Sequence, residues 1–562
     1  MLLQRFSVIL FGMRHSPERM RSTLDVARFR EPLVLGYQGT LMPDPDDSAM
    51  VSAGTDEALC IHGFSLEPWL ESASRELELR VPAERWNSGG ERIDFGALTN
   101  ALRERLTGML AQVMAACPDA TELQVAHQFP ALSQLLQRAA ADWVDAIAIF
   151  HRRLHNDAPR LAAWLGYARL PGLESLTPAS SDQHAGAHTV MRLIFRDGHC
   201  IYYKPRSVTG EWLWERLVHA VNAHSSLELA SAPALAGANG RYGWVASLRP
   251  HGHLHDWDKA SAEAGRYWQA AGATLCLAEH VRMTDLHIAN VMATGCGPAL
   301  FDAESLGTPR AISGTPARQP AERPFATAIN DLLDTGLLPS HNSAAMPDTS
   351  GLFGKAAAVP QIMIPHWSAC PSGARRLQMT PAALLDHGNA PPHSSPVEVL
   401  PLLVSGYREA ATALMRCRES LVSPGSEWRW TLEYRHAPRM ILRDTLTYGI
   451  LLSRSLQPKQ LQFAQRRQAM LQSALRDLGN PTFPKAILRT EVRSLLSLLI
   501  PRFTALPGSR TLASHSGRAL APRFLSSSPA EAVLRKMGEL TPDQLSETQI
   551  PGLLLVLFGQ LR

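Results

Sequence analysis

With 562 residues the chain is too long for a single hydrophobic core, and two to four domains are expected. A net charge of +4 is small for that length and gives no ground for a nucleic-acid partner. No apolar stretch reaches membrane-spanning length, so no membrane span is expected. The seven cysteines are scattered with no C-x-x-C pair, which points to reduced, mostly core thiols in a cytoplasmic protein. The apolar opening is followed by Arg14, Glu18 and Arg19 without a small-residue cleavage site, unlike a signal peptide.

From the start to about Pro171 the pattern is mainly helical, apart from a Pro/Asp/Ser/Gly-rich loop over Gly36 to Gly54. Apolar residues recur at helical spacing from Phe95 to Cys117 and from Pro130 to Leu154. Leu132, Leu135, Leu136, Ala139, Trp143, Ile147 and Phe150 mark one buried face. The character changes at Ser181. Asp182-Gln183-His184 sits in a small-residue loop, and His188 to Phe195 and Cys200 to Tyr203 flank Asp197-Gly198, a hairpin signal. Lys204 follows the second strand. A lysine fixed there suits the phosphates of ATP as a point charge, the alternative being an ordinary solvated surface lysine. A helix is predicted over Thr209 to Asn222, from which Glu211 or Glu215 would pair with Lys204. A strand is expected near Tyr242 to Val245, then a helix carrying Tyr267, Ala271, Leu275 and Ala278.

The chemistry concentrates between Thr284 and Glu304. Asp285, His287 and Asn290 share one short loop, and Gly295 and Gly297 imply a hairpin that folds Asp302 back beside Asn290. Phosphoryl transfer from ATP calls for these groups. One carboxylate orients the attacking hydroxyl, while an amide oxygen and a second carboxylate hold magnesium against the phosphates. A single D-x-H-x-x-N is weak, since Asp and Asn are common in turns; the pair of motifs at hairpin spacing is much stronger. Further on, Gly307 to about Pro324 looks like a loop in the position of an activation segment, and His387 to Ser395 is a flexible patch before a helix over Pro396 to Ser420. Gly351-Leu-Phe-Gly-Lys355 lacks the spacing and the Ser/Thr of a Walker loop. His251, His253 and His255 alternate, but no further clustered ligand accompanies them, so no structural zinc is expected. Between Arg439 and Thr445 a strand-like run would put Arg439, Arg443 and Thr445 on one face, either as an anion site or as a charged strand edge.

Taken together, D-Q-H at Asp182 to His184, Y-Y-K-P-R-S around Lys204, Y-G-W at Trp244, T-D-L-H-I-A-N, L-F-D-A-E with Asp302 and Glu304, D-T-G-L-L-P, and R-M-I-L-R-D-T resemble the dehydratase domain of class II (LanM-type) lanthipeptide synthetases. The likeness runs from about Ser181 to the C-terminus and is looser before it. It implies an α+β fold: a two-lobed core like that of lipid kinases, with additional, mainly helical, elements. The implied division is a helical region over 1–175, a kinase-like N-lobe with catalytic and metal loops over 176–306, an activation-segment-like and flexible region over 307–395, and the remainder of the dehydratase, with its phosphate-elimination site, over 396–562. Two departures stand out. Ser181 replaces a usual glycine, and no zinc-dependent cyclase segment is seen before Arg562, so the expectation is a dehydratase without that domain.

The implied reaction phosphorylates Ser and Thr of a leader-bearing precursor peptide from Mg-ATP and then eliminates phosphate to give dehydroalanine and dehydrobutyrine. Lys204 would hold the ATP phosphates, Asn290 and Asp302 the magnesium, and Asp285 the hydroxyl, supported by His287. By resemblance, Arg439 and Thr445 bind the departing phosphate and Asp182 with His184 completes the elimination side. A separate cyclase or other modifying enzyme would be a further partner. A kinase without elimination and an inactive peptide-binding module are the competing classes. The first has no reason to keep an Arg/Thr phosphate site, and the second no reason to keep Lys204, Asn290 and Asp302 together.

Overall fold

Alternating apolar residues and short turns build the sheets, and capped amphipathic stretches build the helices around them. The computed structural model describes residues 60–61, 64–81, 96–117, 120–178, 189–250, 262–312, 324–339, 348–355, 357–369, 375–384, 389–392, 394–478 and 483–559. The fold is α+β, as expected. A short hairpin, β1 (Cys60–Ile61) and β2 (Phe64–Ser65), leads into α1 (Glu67–Arg80), α2 (Gly96–Ala116), α3 (Glu122–Gln128) and α4 (Pro130–Trp164). A capping box starts α3, with the Thr121 hydroxyl accepting from the Gln124 N–H and the Gln124 side chain accepting from the Thr121 N–H. The predicted stripe on α4 is buried at Leu132, Leu135, Leu136, Ala139, Ile147 and Phe150, while Trp143 is half-buried and donates to the Leu98 carbonyl at 3.2 Å.

That stripe packs on a five-stranded antiparallel sheet in the order β3-β4-β5-β7-β6: β3 (Leu173–Pro178), β4 (Met191–Phe195), β5 (Cys200–Lys204), β6 (Ala234–Ala236) and β7 (Gly243–Ala246). The Asp-Gly hairpin forms as read, with Ile194 opposite Cys200 and Met191 opposite Tyr203. Phe150, Tyr203, Tyr242 and Trp244 fill the space between helix and sheet, and the Trp244 indole N–H donates to the buried Asp157 carboxylate at 2.9 Å. Helix α5 (Thr209–Asn222) has the predicted bounds.

A second core lies around α6 (Ala262–His280) and α8 (Pro396–Val422), joined by α5, α7 (Pro324–Asp334), α9 (Glu427–Tyr434), α14 (Pro529–Glu539) and α16 (Ile550–Gly559). Between α6 and α7 run β8 (Val291–Thr294) and β9 (Gly297–Leu300), the glycine hairpin predicted there. A longer antiparallel hairpin, β10 (Ala357–Ala369) with β11 (Arg375–Leu384), was not singled out by its sequence. The C-terminal portion adds a small sheet, β12 (Arg439–Met440), β13 (Phe503–Ala505), β14 (Leu512–Ser514) and β15 (Ala519–Ala521). With it come α10 (Thr445–Ser455), α11 (Pro458–Leu461), α12 (Ala464–Asp477), α13 (Lys485–Leu496) and the short α15 (Pro542–Gln544).

Two expectations need correction. The run from Arg439 to Thr445 is not one strand, because β12 covers only Arg439 and Met440. Asp444 instead caps α10 by accepting from the Thr447 N–H at 2.5 Å, so the backbone turns before Thr445. Arg443 consequently leaves the face of Arg439, pairs with Glu491 at 2.8 Å and lies over the Phe483 ring. The cysteines are less uniformly internal than expected. Among the described thiols Cys276 and Cys417 are buried, Cys117 and Cys200 half-buried, and Cys296 exposed in the β8–β9 turn.

Candidate functional site

Strand β5 ends on Lys204, the first residue of the site. Its ammonium donates to Glu211 Oε1 at 3.0 Å, to the Phe301 carbonyl, and lies 3.9 Å from Asp302 Oδ2. Of the two candidates on α5, Glu211 is therefore the partner; Glu215 instead accepts from the Ala234 N–H. The first turn of α5 reaches the site because Gly210 has no side chain. A Cβ there would come within 2.1 Å of the Ala303 carbonyl oxygen.

The loop before β8 supplies three more groups. Asp285 is buried and holds φ at +64°, a left-handed conformation uncommon outside glycine and costly enough to be kept mainly where surroundings enforce it. The Leu286 N–H is fixed by the Thr335 carbonyl, and the His287 ring caps the following turn by accepting from the Ala289 N–H at 3.2 Å. His287 Nε2 lies 3.2 Å from Asn290 Nδ2 and 3.8 Å from Asp285 Oδ1. Asn290 donates from Nδ2 to the Asp285 carbonyl at 2.8 Å. That bond turns its Oδ1 away, and this buried oxygen has no hydrogen-bond partner among the described residues. The hairpin pairs Val291 with Leu300, and the Phe301 N–H reaches the Asn290 carbonyl, so Phe301 stands opposite Asn290 and Asp302 is the next residue along.

Arg206 binds these pieces into one cluster. Its Nη1 donates to the Ser207 carbonyl at 2.9 Å and to Glu211 Oε2 at 3.2 Å. Its Nη2 donates to Glu211 Oε1 and Asp302 Oδ1, both at 2.6 Å, and its Nε meets Glu304 Oε2 at 2.9 Å. Four guanidinium N–H groups thereby donate, and Nε makes an ion pair. Burial alone would push the Glu211 carboxyl up, but Arg206 and Lys204 overcome it and hold it down at about 2. For Arg206, burial works against the charge and the carboxylates of Asp302, Glu211 and Glu304 overcome it, which keeps it cationic.

On the far side, β12 delivers Arg439. Its Nη1 pairs with Glu304 Oε1 at 2.8 Å and lies 3.7 Å from Asp285 Oδ2. Glu304 also accepts a 2.6 Å pair from Arg502, just before β13. Thus Lys204, Asp285, His287, Asn290, Asp302 and Arg439, all singled out in the sequence, are brought together. Thr445 is buried in the first turn of α10. Asp182 and His184 lie outside the described residues, as do His251, His253 and His255. Sequence reasoning gave no role to Arg206, Glu304 or Arg502. The first two stand inside the quoted motifs, two residues beyond Lys204 and Asp302, so the signal for them was present. Nothing local marks Arg502.

As hard oxygen donors, the Asn290 Oδ1, without a hydrogen-bond partner among the described residues, and the Asp302 carboxylate suit a magnesium ion better than a softer metal. Among the described residues, no group of three or more His, Cys, Asp or Glu side chains could hold a metal. No described helix is long and apolar enough to cross a membrane.

Fold and site together define an α+β protein with a buried, charge-balanced cluster of cations and carboxylates around an Asp-His-Asn loop. The chain belongs to the family described as "Domain of unknown function (DUF4135)", which matches residues 129–506, more than half of its length. That domain is found in LanM-type lanthipeptide synthetases, and the chain is LanM-like, in agreement with the sequence resemblance. It is 20% identical over 296 residues to the "Lacticin 481/lactococcin biosynthesis protein LcnDR2" of Lactococcus lactis subsp. lactis, an alignment covering 51% of this chain and 30% of that protein. The chain thus matches less than a third of that relative's length.

Proposed function

We propose that this protein dehydrates Ser and Thr residues of a ribosomally made precursor peptide, first phosphorylating the side chain from Mg-ATP and then eliminating phosphate. The observation that carries the reading is the convergence of the Lys204–Glu211 pair, the Asp285-His287-Asn290 loop and Asp302 in one buried cluster, with Arg439 beside Asp285. A kinase needs the first three; the added guanidinium suits a phosphate that must leave as well as arrive. Similarity to a lacticin 481 biosynthesis protein supports a modified peptide as the substrate.

In this reading Lys204, fixed by Glu211, holds ATP phosphates as a point charge. Asn290 Oδ1 and Asp302 are the groups that would hold magnesium, and the ion, when bound, neutralises charge developing on the transferred phosphoryl group. Asp285 orients the substrate hydroxyl and accepts its proton, with the imidazole of His287 on one side and Arg439 on the other. Hydroxide is a poor leaving group and phosphate a better one, which is why phosphorylation comes first. Arg439 then stabilises the departing phosphate, with Thr445, Asp182 and His184 assigned to the same half-reaction by resemblance.

The deciding experiment is mass spectrometry of a candidate Ser/Thr-containing precursor peptide incubated with the protein, ATP and magnesium. Loss of water supports the proposal. A stable gain of phosphate would make the protein a kinase without elimination, and an unchanged but bound peptide would make it a binding module.

A further inference from the structure

Three guanidinium groups meet on the single carboxylate of Glu304. Arg206 and Arg502 share Oε2 at 2.9 and 2.6 Å, and Arg439 takes Oε1 at 2.8 Å. They are not equivalent. Arg206 donates four hydrogen bonds, to the Ser207 carbonyl, Glu211 and Asp302, and pairs with Glu304 through Nε, so it is held on every side by its own chain. Among the described residues Arg502 makes one ion pair, to Glu304, and its side chain keeps 13% exposure. Antiparallel pairing of β12 with β13, with Met440 opposite Phe503, brings Arg502 from across the C-terminal sheet to the Arg439 side of the cluster. Its charge is also under strain. Burial pushes its pKa down, Glu304 pushes it up, and Arg206 and Arg439 push it down again. Crowded cations of this kind are relieved by an incoming anion.

We propose that Arg502 is a phosphate ligand of the elimination step, presenting its uncommitted N–H groups beside Arg439 to the phosphoryl oxygens of the Ser/Thr-phosphorylated peptide. This rests on the dehydratase reading above. In that step a base takes the α-proton, the Cα–H electron pair becomes the Cα=Cβ bond, and the Cβ–O pair departs with the phosphate. The dianionic monoester therefore acquires a third negative charge as the bond breaks. A guanidinium held by one carboxylate in a largely dry site meets that added charge without reorganising, so its contribution grows toward the transition state. Phosphoryl transfer relies on Lys204, Asn290 and Asp302 and needs Arg502 less.

The test uses the full chain carrying Arg502→Gln or Arg502→Lys and two substrates: the precursor peptide with Mg-ATP, and the same peptide chemically phosphorylated at Ser and offered without ATP. Binding of inorganic phosphate, the leaving group itself, is measured by calorimetry alongside. Expected for Arg502→Gln are near-normal phosphorylation, elimination from the phosphopeptide slowed about a hundredfold with phosphopeptide accumulating, and phosphate bound about tenfold more weakly. Arg502→Lys should recover part of both losses. Wild-type elimination and phosphate affinity in Arg502→Gln would overturn the assignment. So would parallel loss of both half-reactions with a lowered melting temperature and no rescue by lysine, which would make Arg502 a structural support of Glu304. Failure of the wild-type protein to eliminate phosphate from the phosphopeptide would instead overturn the dehydratase reading on which the assignment rests.

Discussion

At the scale of single residues, the proposed metal site makes a direct demand. Asn290 Oδ1 is buried without a hydrogen-bond partner among the described residues, and a polar atom in that condition costs about 1–3 kcal/mol unless a ligand uses it. Asn290→Ala and Asp302→Ala are therefore expected to abolish nucleotide-dependent manganese binding, read by electron paramagnetic resonance, and to lower phosphorylation by about a hundredfold or more. Normal metal binding by either variant would move the ion elsewhere. His436 offers a second test through pH. Its imidazole is buried and its Nε2–H donates to the Leu306 carbonyl at 2.6 Å. Burial pushes its pKa down from 6.5 to about 4. Between those values the unfolded chain binds a proton that the folded chain refuses, so stability is intact above pH 6.5 and drains away as pH falls toward 4. The full effect is about 3 kcal/mol. His436→Gln, titrated with urea at pH 7.5 and pH 5, should lose less stability on acidification than the wild type. An identical acid loss would show that other groups govern that limb.

At the scale of elements, α6 and α8 cross at two glycines. A Cβ on Gly406 would sit 1.7 Å from the Gln269 carbonyl oxygen, and one on Gly272 would sit 1.9 Å from that of Leu403. Backbone against backbone has no side chain to yield, so the helices must separate. Alanine favours a helix over glycine by about 1 kcal/mol. Overpacking costs typically about 1–3 kcal/mol, and a clash on rigid backbone lies at the upper end. Gly406→Ala should therefore lower the melting temperature, whereas Gly265→Ala on α6, where nothing lies within 4 Å, should leave it unchanged or raise it. Equal shifts of the same sign would contradict this packing. Neither glycine drew notice in the sequence, because a close approach depends on which helix lies opposite. Local signals were legible where local physics decides: the Asp197-Gly198 hairpin, the bounds of α5, the glycine turn before β9. The R-M-I-L-R-D-T run misled because its apolar middle suits a strand, while the decisive feature was Asp444, a capping residue in front of a helix. The site was readable as far as its motifs extend, through Lys204, Asp285, Asn290 and Asp302. Arg502 enters by strand pairing across more than 60 residues and leaves no local trace.

Across the whole molecule, a second charged network holds the loop that carries Asp285 from behind. Lys536 on α14 pairs with Glu279 of α6 at 2.8 Å and with Asp331 of α7 at 2.7 Å. Asp331 also takes Arg282 and Arg310, and the Tyr407 hydroxyl of α8 donates to Glu279. Four helices and the segment leading to Asp285 thus meet on two buried carboxylates, with Arg282 three residues before Asp285. Burial would lower the Lys536 pKa, but Glu279 and Asp331 overcome it, so the ammonium stays charged. Removing it leaves two carboxylates with less compensation in a dry interior. Lys536→Met is expected to cost about 3–5 kcal/mol, the usual penalty for breaking a buried ion pair from one side. The loss should shrink at lower pH, because protonating Asp331, which Lys536 helps to keep charged, removes uncompensated charge. For the same reason Glu279→Gln should partly rescue Lys536→Met, giving a coupling of roughly 1–3 kcal/mol in a double-mutant cycle by urea denaturation at pH 7.5. Additive effects of the two substitutions would mean that lysine and glutamate stabilise the fold independently. In that case the two carboxylates would not act as one joint between the C-terminal helices and the loop that carries Asp285.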